Sequence, residues 1–570
     1  MIYFIKLSII FDCIKMKLNY SEQLKFKQQL AEWLQKVLVQ DVPSHTVFVS
    51  HGSLKNRCKV WTTTDENSQK LIKRTLTYIE KQFAQNIEQT EYLKIDVAKN
   101  IEKRTWKDVV HEIESQQHNN HYRKNIAFDE KFGINLLEQE IYGRSVIRGI
   151  VFSEPNFVDE KNLIDTLNKK YGQLVKNFQV AKIDHVYVFD TEAVFYENGH
   201  FLPLHSTSCE NGIRKIDLKS KHGHIKQIII DNARFLHAQI HESGRFTYGY
   251  FPAFDREIKS YNTVRHCTAI YALLETLEVD YKDDYLTKIK TSMQYAIDTF
   301  YREVDQQAFM IDGDTPDQEI KLGSNAAAIF MFAKYQEITK DDHYQVYAEK
   351  LAEGIRSMVD SQGETSHVLN YPQLDVKEKF RIVYYDGEAA LGLLRLYQIN
   401  QNTVLLDTVK LMFEHFIAKN YDKYHDHWLS YCTNELTKIC PEEKYFKFGM
   451  NNYLKHMDFI KNRKTAYATF LEMMMSAYKM VIRMQDQGYD ELFAQSKFSE
   501  LCDLIEHRTE FQRTGYFYPE VAMYMAKPDK ILNAFNVRHD RLRTRIDDQE
   551  HNLSGYVAYV NHFNLNGDSV

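Results

Sequence analysis

Glycine and proline are scarce: 21 and 9 in 570 residues, about half and a third of their average usage. Folds made of many short strands and tight turns need more of both, as do nucleotide sites built on glycine-rich loops. No GxSxG, GxGxxG or GxxxxGK[ST] pattern occurs, so nucleophile-elbow and phosphate-loop chemistry find no footing. Positive charge is not in excess either: 72 Lys and Arg face 78 Asp and Glu, a net charge of −6. Nucleic acid is therefore not the expected partner, because phosphate binding rests on a basic field. The seven cysteines are odd in number and scattered, without CxxC spacing; they read as reduced thiols of a cytoplasmic protein rather than zinc ligands. Long apolar runs are missing as well. The opening MIYFIKLSIIFDCIKM is broken by Lys6 and Asp12, too short for a membrane span and without a cleavage site, so no membrane partner is expected.

What is present is a helical, globular chain rich in aromatics, with 37 Tyr and 34 Phe. Its texture divides it into four stretches. Residues 1–15 read as an extension or frayed terminus ahead of an amphipathic helix that begins at Met16. Residues 16–140 alternate helix and strand signals, with TVFVSHGS, RCKVWTTT and LKIDVAKN as strands and QKLIKRTLTYIEKQF as a helix, which marks a small α+β domain. Residues 141–225 read as a strand-bearing connector whose ENGH is an Asn-Gly hairpin signal. From 226 to 570 amphipathic helices dominate, and they come in pairs.

In each pair one helix is small and apolar all round, as in GSNAAAIFMFAKYQEI or DGEAALGLLRLYQI, and the next is longer and more charged, as in HYQVYAEKLAEGIRSMV or TVLLDTVKLMFEHFI. An all-apolar surface means burial on every side, so the first helix of each pair is an inner one. Five such hairpins, completed by IDNARFLHAQIHE and the closing GYVAYVNHF, suit a closed ring better than an open solenoid, whose repeats keep a stricter period. The expected fold class is an α+β N-terminal region followed by a mainly α toroid.

The phrases GRFTYGYFP, SNAAAIFMFAKYQEITKDDHYQVYA and YDGEAALGLLRLYQI carry a resemblance to the (α/α)6 toroid of the six-hairpin glycosidase and sugar epimerase superfamily, over residues about 226–570. That resemblance implies a carbohydrate ligand held where the inner helices begin, since their free N–H groups open into one mouth. Oligomeric state is not read from the sequence.

Four constellations fall at such helix starts. YGYFPAFDREIKSYNTVRH places Asp255 and Glu257 two apart, on one side of an extended chain, with Tyr250, Tyr261, Arg265 and His266 beside them. The competing reading is that Arg256, Lys259 or Arg265 tie these carboxylates down. YYDGEAALG supplies Asp386 and Glu388 with Tyr385, although an N-cap role explains much of that pattern. HDHWLSYC supplies His427 and Trp428; histidines at i and i+2 do not share a helix face, so no metal is implied, and no cofactor is expected. RTGYFYPE and FNVRHDRLRTRIDDQEH supply Tyr518, Glu520, Arg538, His539, Arg541, Arg543 and Arg545. As a strand, the last three arginines make one positive row suited to an acidic sugar; as an internal network they are neutralised by neighbouring carboxylates.

Three functions follow as expectations. The first is hydrolysis of an oligo- or polysaccharide by a carboxylate pair drawn from Asp255, Glu257, Asp386 and Glu388. The second is sugar epimerisation by histidine and tyrosine acid-base groups. The third is a noncatalytic toroid that binds a glycan or a protein. Carboxylates already paired with cations would count against hydrolysis, and two histidines facing each other in the cavity would favour epimerisation.

Overall fold

The computed structural model describes residues 20–38, 44–85, 91–116, 122–149, 155–175, 178–206, 208–313 and 317–563. The segment 1–15, read from the sequence as an extension, lies outside them.

The N-terminal part is an antiparallel sheet of seven strands, ordered Lys59–Asp65, His45–Gly52, Tyr92–Thr105, His185–Glu197, Asn125–Ala127 and Asn135–Leu136, with His200–Pro203 also paired to His185–Glu197. Strand alternation separates its two faces. Val47 and Val49 point into a core with Leu30, Leu34, Leu71 and Ile79 from the helices Tyr20–Val37 and Ser68–Gln85, whereas Phe48 between them joins a second core on the opposite face. The Asn-Gly hairpin forms as its residue types require: Asn198 and Gly199 have φ of 51° and 82°, the two positive values of a type I′ turn. Its first strand, His185–Glu197, pairs with Tyr92–Thr105 over most of its length. The boundary drawn near residue 140 therefore falls inside one sheet, because an isolated two-stranded ribbon buries too little apolar surface to stand alone.

The remainder forms a ring. Six inner helices, Thr263–Thr276, Leu322–Thr339, Tyr384–Asn400, His427–Ile439, Thr469–Asp486 and Ile546–His562, each pack on the next, and the sixth packs on the first. Outside them run Lys221–Ala238, Asp283–Phe300, Gln345–Ser357, Thr403–Ala418, Glu443–Leu454 and Phe498–Gln512. This is the six-hairpin toroid anticipated from the paired helices, and the sixth hairpin joins the two ends of the 226–570 stretch. Small residues allow the close approach that a ring interior demands. Ala326, Ala327 and Ala328 are fully buried, and a Cβ at Gly392 would stand 3.2 Å from the Ala326 carbonyl oxygen.

Sheet and ring share one core. Phe517, Met523, Tyr524, Met525 and Ile531, from the segment between the last outer and last inner helices, pack with Phe48, Leu136 and Phe189 of the sheet's second face. The Tyr524 hydroxyl donates to Ser50 Oγ at 2.7 Å, and the Cys58 amide donates to the Met523 carbonyl at 2.8 Å. Phe517→Ala is expected to cost about 3–5 kcal/mol, the usual loss for a fully buried Phe, read as a fall in unfolding free energy in denaturant titration. A change below about 1 kcal/mol would mean that the sheet and ring are not held by this core.

Candidate functional site at the ring mouth

The inner helices all begin on one side, and five of the six starts border a cavity of about 420 Å3. The first helix brings Arg265, the third Tyr384, Tyr385 and Glu388, the fourth His427 and Trp428, the fifth Thr469, and the sixth Asp547, Asp548, Glu550 and His551; Asn536–His539 and Tyr467 close the rim. Caps explain the local fold. Asn262 accepts from the Arg265 amide at 3.1 Å and Asp426 from the Leu429 amide at 2.9 Å, each satisfying a helix-start donor that has no partner within its own helix.

Nine of the expected site residues meet here: Arg265, Tyr385, Glu388, His427, Trp428, Arg538, His539, Arg543 and Arg545. The others are placed elsewhere. Asp255 lies in a turn with φ of 50° and pairs with Lys530 at 2.8 Å, while Glu257 is exposed on the short strand Arg256–Glu257. The chain is thus not extended at this point, and the two carboxylates do not work as a pair. Asp386 is buried beneath the mouth, where Thr365 and His367 donate to it at 2.6 and 3.0 Å. Tyr261 bonds His266 Nδ1 at 2.8 Å, and His266 Nε2 meets the Ser292 carbonyl at 3.0 Å behind the first inner helix. Burial pushes His266 down to about 4, so this ring is neutral and structural. Tyr250 packs against the sheet–ring core. The Tyr518 hydroxyl accepts from Arg513 Nε at 2.8 Å, and Glu520 is clasped by Arg214 at 2.7 Å.

The arginine row is broken by its backbone. Arg541 and Leu542 have φ of 58° and 54°, which ends strand alternation, and Arg541 turns to Asp540 at 3.0 Å. Only Thr544–Arg545 is strand. Arg543 and Arg545 do reach the cavity, but acids meet them: Arg543 bonds Asp540 and lies 3.5 Å from Asp548, and Arg545 lies 2.7 Å from Asp547. Arg265 also binds Asp547 at 2.7 Å. These guanidiniums form an internal network, the second of the two sequence readings.

Acidic groups dominate what remains. Burial acts to raise Asp547, but Arg265 and Arg545 outweigh it and hold the carboxyl below its usual range. Burial and the neighbouring Asp547 charge push Asp548 up to about 6. Glu550 is raised well above the carboxylate range by burial, with Glu472 adding to the shift against the charge of His551. Glu388 is raised in the same way, first by burial and then by Asp426, against opposition from Arg265. It is 3% exposed, and its Oε2 has no hydrogen-bond partner. A Cβ at Gly323 would fall 2.1 Å from that oxygen, so only glycine leaves room for the carboxyl.

Sequence reasoning missed His551, Glu472 and Asp426. His427 and His551 stand side by side, ring centroids 5.1 Å apart and nearly perpendicular. Nδ1 of His427 lies 3.1 Å from Asp426 Oδ1, and its buried Nε2 has no hydrogen-bond partner. Nδ1 of His551 lies 2.9 Å from Glu472 Oε2, and burial pushes Glu472 up to about 8. His427, Glu472 and His551 also bring nitrogen and oxygen atoms within 4.8 Å of one another, two imidazoles and a carboxylate of the kind that can hold a divalent ion. The one available signal was IDDQEH, four residues of which line the mouth once a helix begins at Ile546; read as the tail of an arginine strand, it concealed His551.

No family model and no curated protein matches the chain. Among solved structures it is similar to a cellobiose 2-epimerase from Bacillus thermoamylovorans, with 10% identity over 61% of this chain and 100% of that one and a TM-score of 0.47. A sugar epimerase from a ruminal bacterium is similar at 15% identity, covering 50% and 86%, with a TM-score of 0.38. An α-1,6-mannanase from Salegentibacter sp. follows at 12% identity, covering 59% and 98%, with a TM-score of 0.30.

Glu388 gives the mouth a pH signature. Its folded pKa lies above the unfolded value of 4.5, so the native state keeps a proton that the unfolded chain releases, and this contribution to stability declines as pH rises above about 4.5. Glu388→Gln removes the dependence. The variant should equal or exceed the wild type in melting temperature at pH 8 and show a shallower decline from pH 5 to 8; identical profiles would mean that Glu388 is ionised in the native protein.

Proposed function

We propose that the protein is a carbohydrate-converting enzyme that moves a proton at a carbon beside a sugar carbonyl, in the class of epimerases and aldose–ketose isomerases. The observation that carries this reading is the pair His427 and His551, contributed by two inner helices to one cavity, with His551 Nδ1 bonded to Glu472 at 2.9 Å, Asp426 3.1 Å from His427 Nδ1, and Nε2 of His427 unpartnered. An imidazole serves as acid and base near neutral pH, and the Glu472 bond to Nδ1 of His551 directs that ring's Nε2 away from it. Adjacent rings suit transfer between neighbouring carbons: in isomerisation one imidazole takes the proton from C2 and passes it to C1, and in epimerisation one imidazole takes the C2 proton while the other delivers a proton to the opposite face of C2. Glu388, held protonated, can donate to the carbonyl oxygen as negative charge develops there. Trp428, Tyr384 and Tyr385 offer ring faces to the apolar side of a sugar.

Hydrolysis is the second reading, and Glu388 favours it, because a buried protonated carboxyl is the general acid that glycoside cleavage needs. The partner expected from the sequence is missing from the mouth, since Asp255 and Glu257 lie elsewhere and Asp386 is fully engaged with Thr365 and His367.

The test is incubation with a panel of aldoses and disaccharides in D2O, followed by NMR. Proton transfer predicts deuterium at C2 or C1 with a new epimer or ketose, and His551→Asn should lower that rate at least 100-fold. Release of reducing ends without solvent deuterium would replace this reading with hydrolysis.

A further inference from the structure

The sheet carries a second candidate site, far in sequence from the ring mouth. Lys59–Asp65 is the end strand of the sheet, and on it Trp61 lies flat against Tyr78, ring centroids 4.1 Å apart and 5° from parallel. Tyr78 is fixed from behind by His51 Nε2 at 2.9 Å. Both rings line a surface groove of about 440 Å3 whose other walls are Lys70, Lys73, Arg74 and Lys81. The spacing explains the clustering: positions 70, 73, 74, 77 and 81 of the helix Ser68–Gln85 fall on one face, three and four residues apart, and span about 16 Å. Arg74 is neutralised by Asp65 at 2.7 Å. Lys70, Lys73 and Lys81 have no acidic partner among the described residues, so the groove holds unmatched positive charge in a protein of net charge −6. Trp61 and Arg74 also border an adjoining depression of about 910 Å3, where Asp65, Glu66 and Glu130 stand beside Lys131 and Lys170, so the unmatched positive charge is confined to the groove along the helix.

We propose that this groove binds an anionic carbohydrate chain. An indole backed by a second ring is a rigid platform for the apolar face of one sugar, and the lysines along the helix suit carboxylate or phosphate groups on flanking sugars. Single-stranded nucleic acid is the rival for a basic, aromatic groove, but it is gripped by several successive ring platforms within a basic field. Here one ring stack stands in an acidic protein. The groove shares no lining residue with the mouth, which makes the sheet a tether for a polymer independent of the chemistry at the mouth.

Titration calorimetry of the full chain with a polygalacturonate oligomer, a neutral dextran of equal length and an oligo(dT) tests this. The polygalacturonate should bind with an affinity that falls as salt rises, should weaken at least tenfold in Trp61→Ala and in the triple variant Lys70→Gln/Lys73→Gln/Lys81→Gln, and should bind Glu388→Gln as it binds the wild type. The three lysines are exposed, so the triple variant remains informative even where Trp61→Ala loses stability. Any of four results overturns the proposal: polygalacturonate fails to bind, dextran binds equally well, oligo(dT) binds at least as tightly, or affinity is unchanged in the triple variant. Loss of binding in Glu388→Gln would also overturn it, by placing the ligand in the mouth.

Discussion

Packing of the sixth inner helix on the first is the contact on which the mouth depends. A row of helices with apolar surfaces all round leaves two bare ends, which an open solenoid covers with polar caps. Closure removes those ends. It also brings Ile546–His562, from the end of the chain, beside Thr263–Thr276, so that Asp547 reaches Arg265 across 282 positions of sequence. His551 reaches Glu472 and the neighbourhood of His427 through the same arrangement. A ring that failed to close would keep its first five hairpins and lose the sixth together with the site.

Charge in the mouth is largely settled internally. Arg265, Arg543 and Arg545 are matched by Asp540, Asp547 and Asp548, while Glu388 and Glu550 avoid the cost of burying a charge by keeping their protons. The two kinds of acid differ because of what stands within a few ångströms of each. Asp547 has two guanidiniums in contact; Glu388 has an unpartnered oxygen, the Asp426 charge nearby and the backbone of Gly323 against it. Such divergence of carboxyl groups within one cavity equips a site to both donate and accept protons.

The segment between the last outer and last inner helices has two sides. Asn536, Val537, Arg538 and His539 face the cavity, while Phe517, Met523, Tyr524 and Ile531 are bound into the sheet's second core. Arg538 is gripped by Glu138, a buried residue of the N-terminal part that also holds Arg123. A loop wall that would otherwise be the softest part of the mouth is thereby backed by a sheet.

The sequence alone was enough for the helix pairs and their inner and outer assignment, because the apolar positions, the small residues and the scarcity of Gly and Pro are local properties that the 3.6-residue period makes legible. It was also enough to single out Glu388, His427 and Trp428, which sit at helix starts where caps and aromatics mark the chain. Tertiary structure alone decided which carboxylates meet. Asp255 and Glu257 lost their place to a left-handed turn at Asp255, the arginine row to two more at Arg541 and Leu542, and neither turn is marked by a glycine. The His427–His551 pair was beyond sequence reading for a different reason: its members lie on separate helices 124 residues apart, and only closure of the ring sets them side by side.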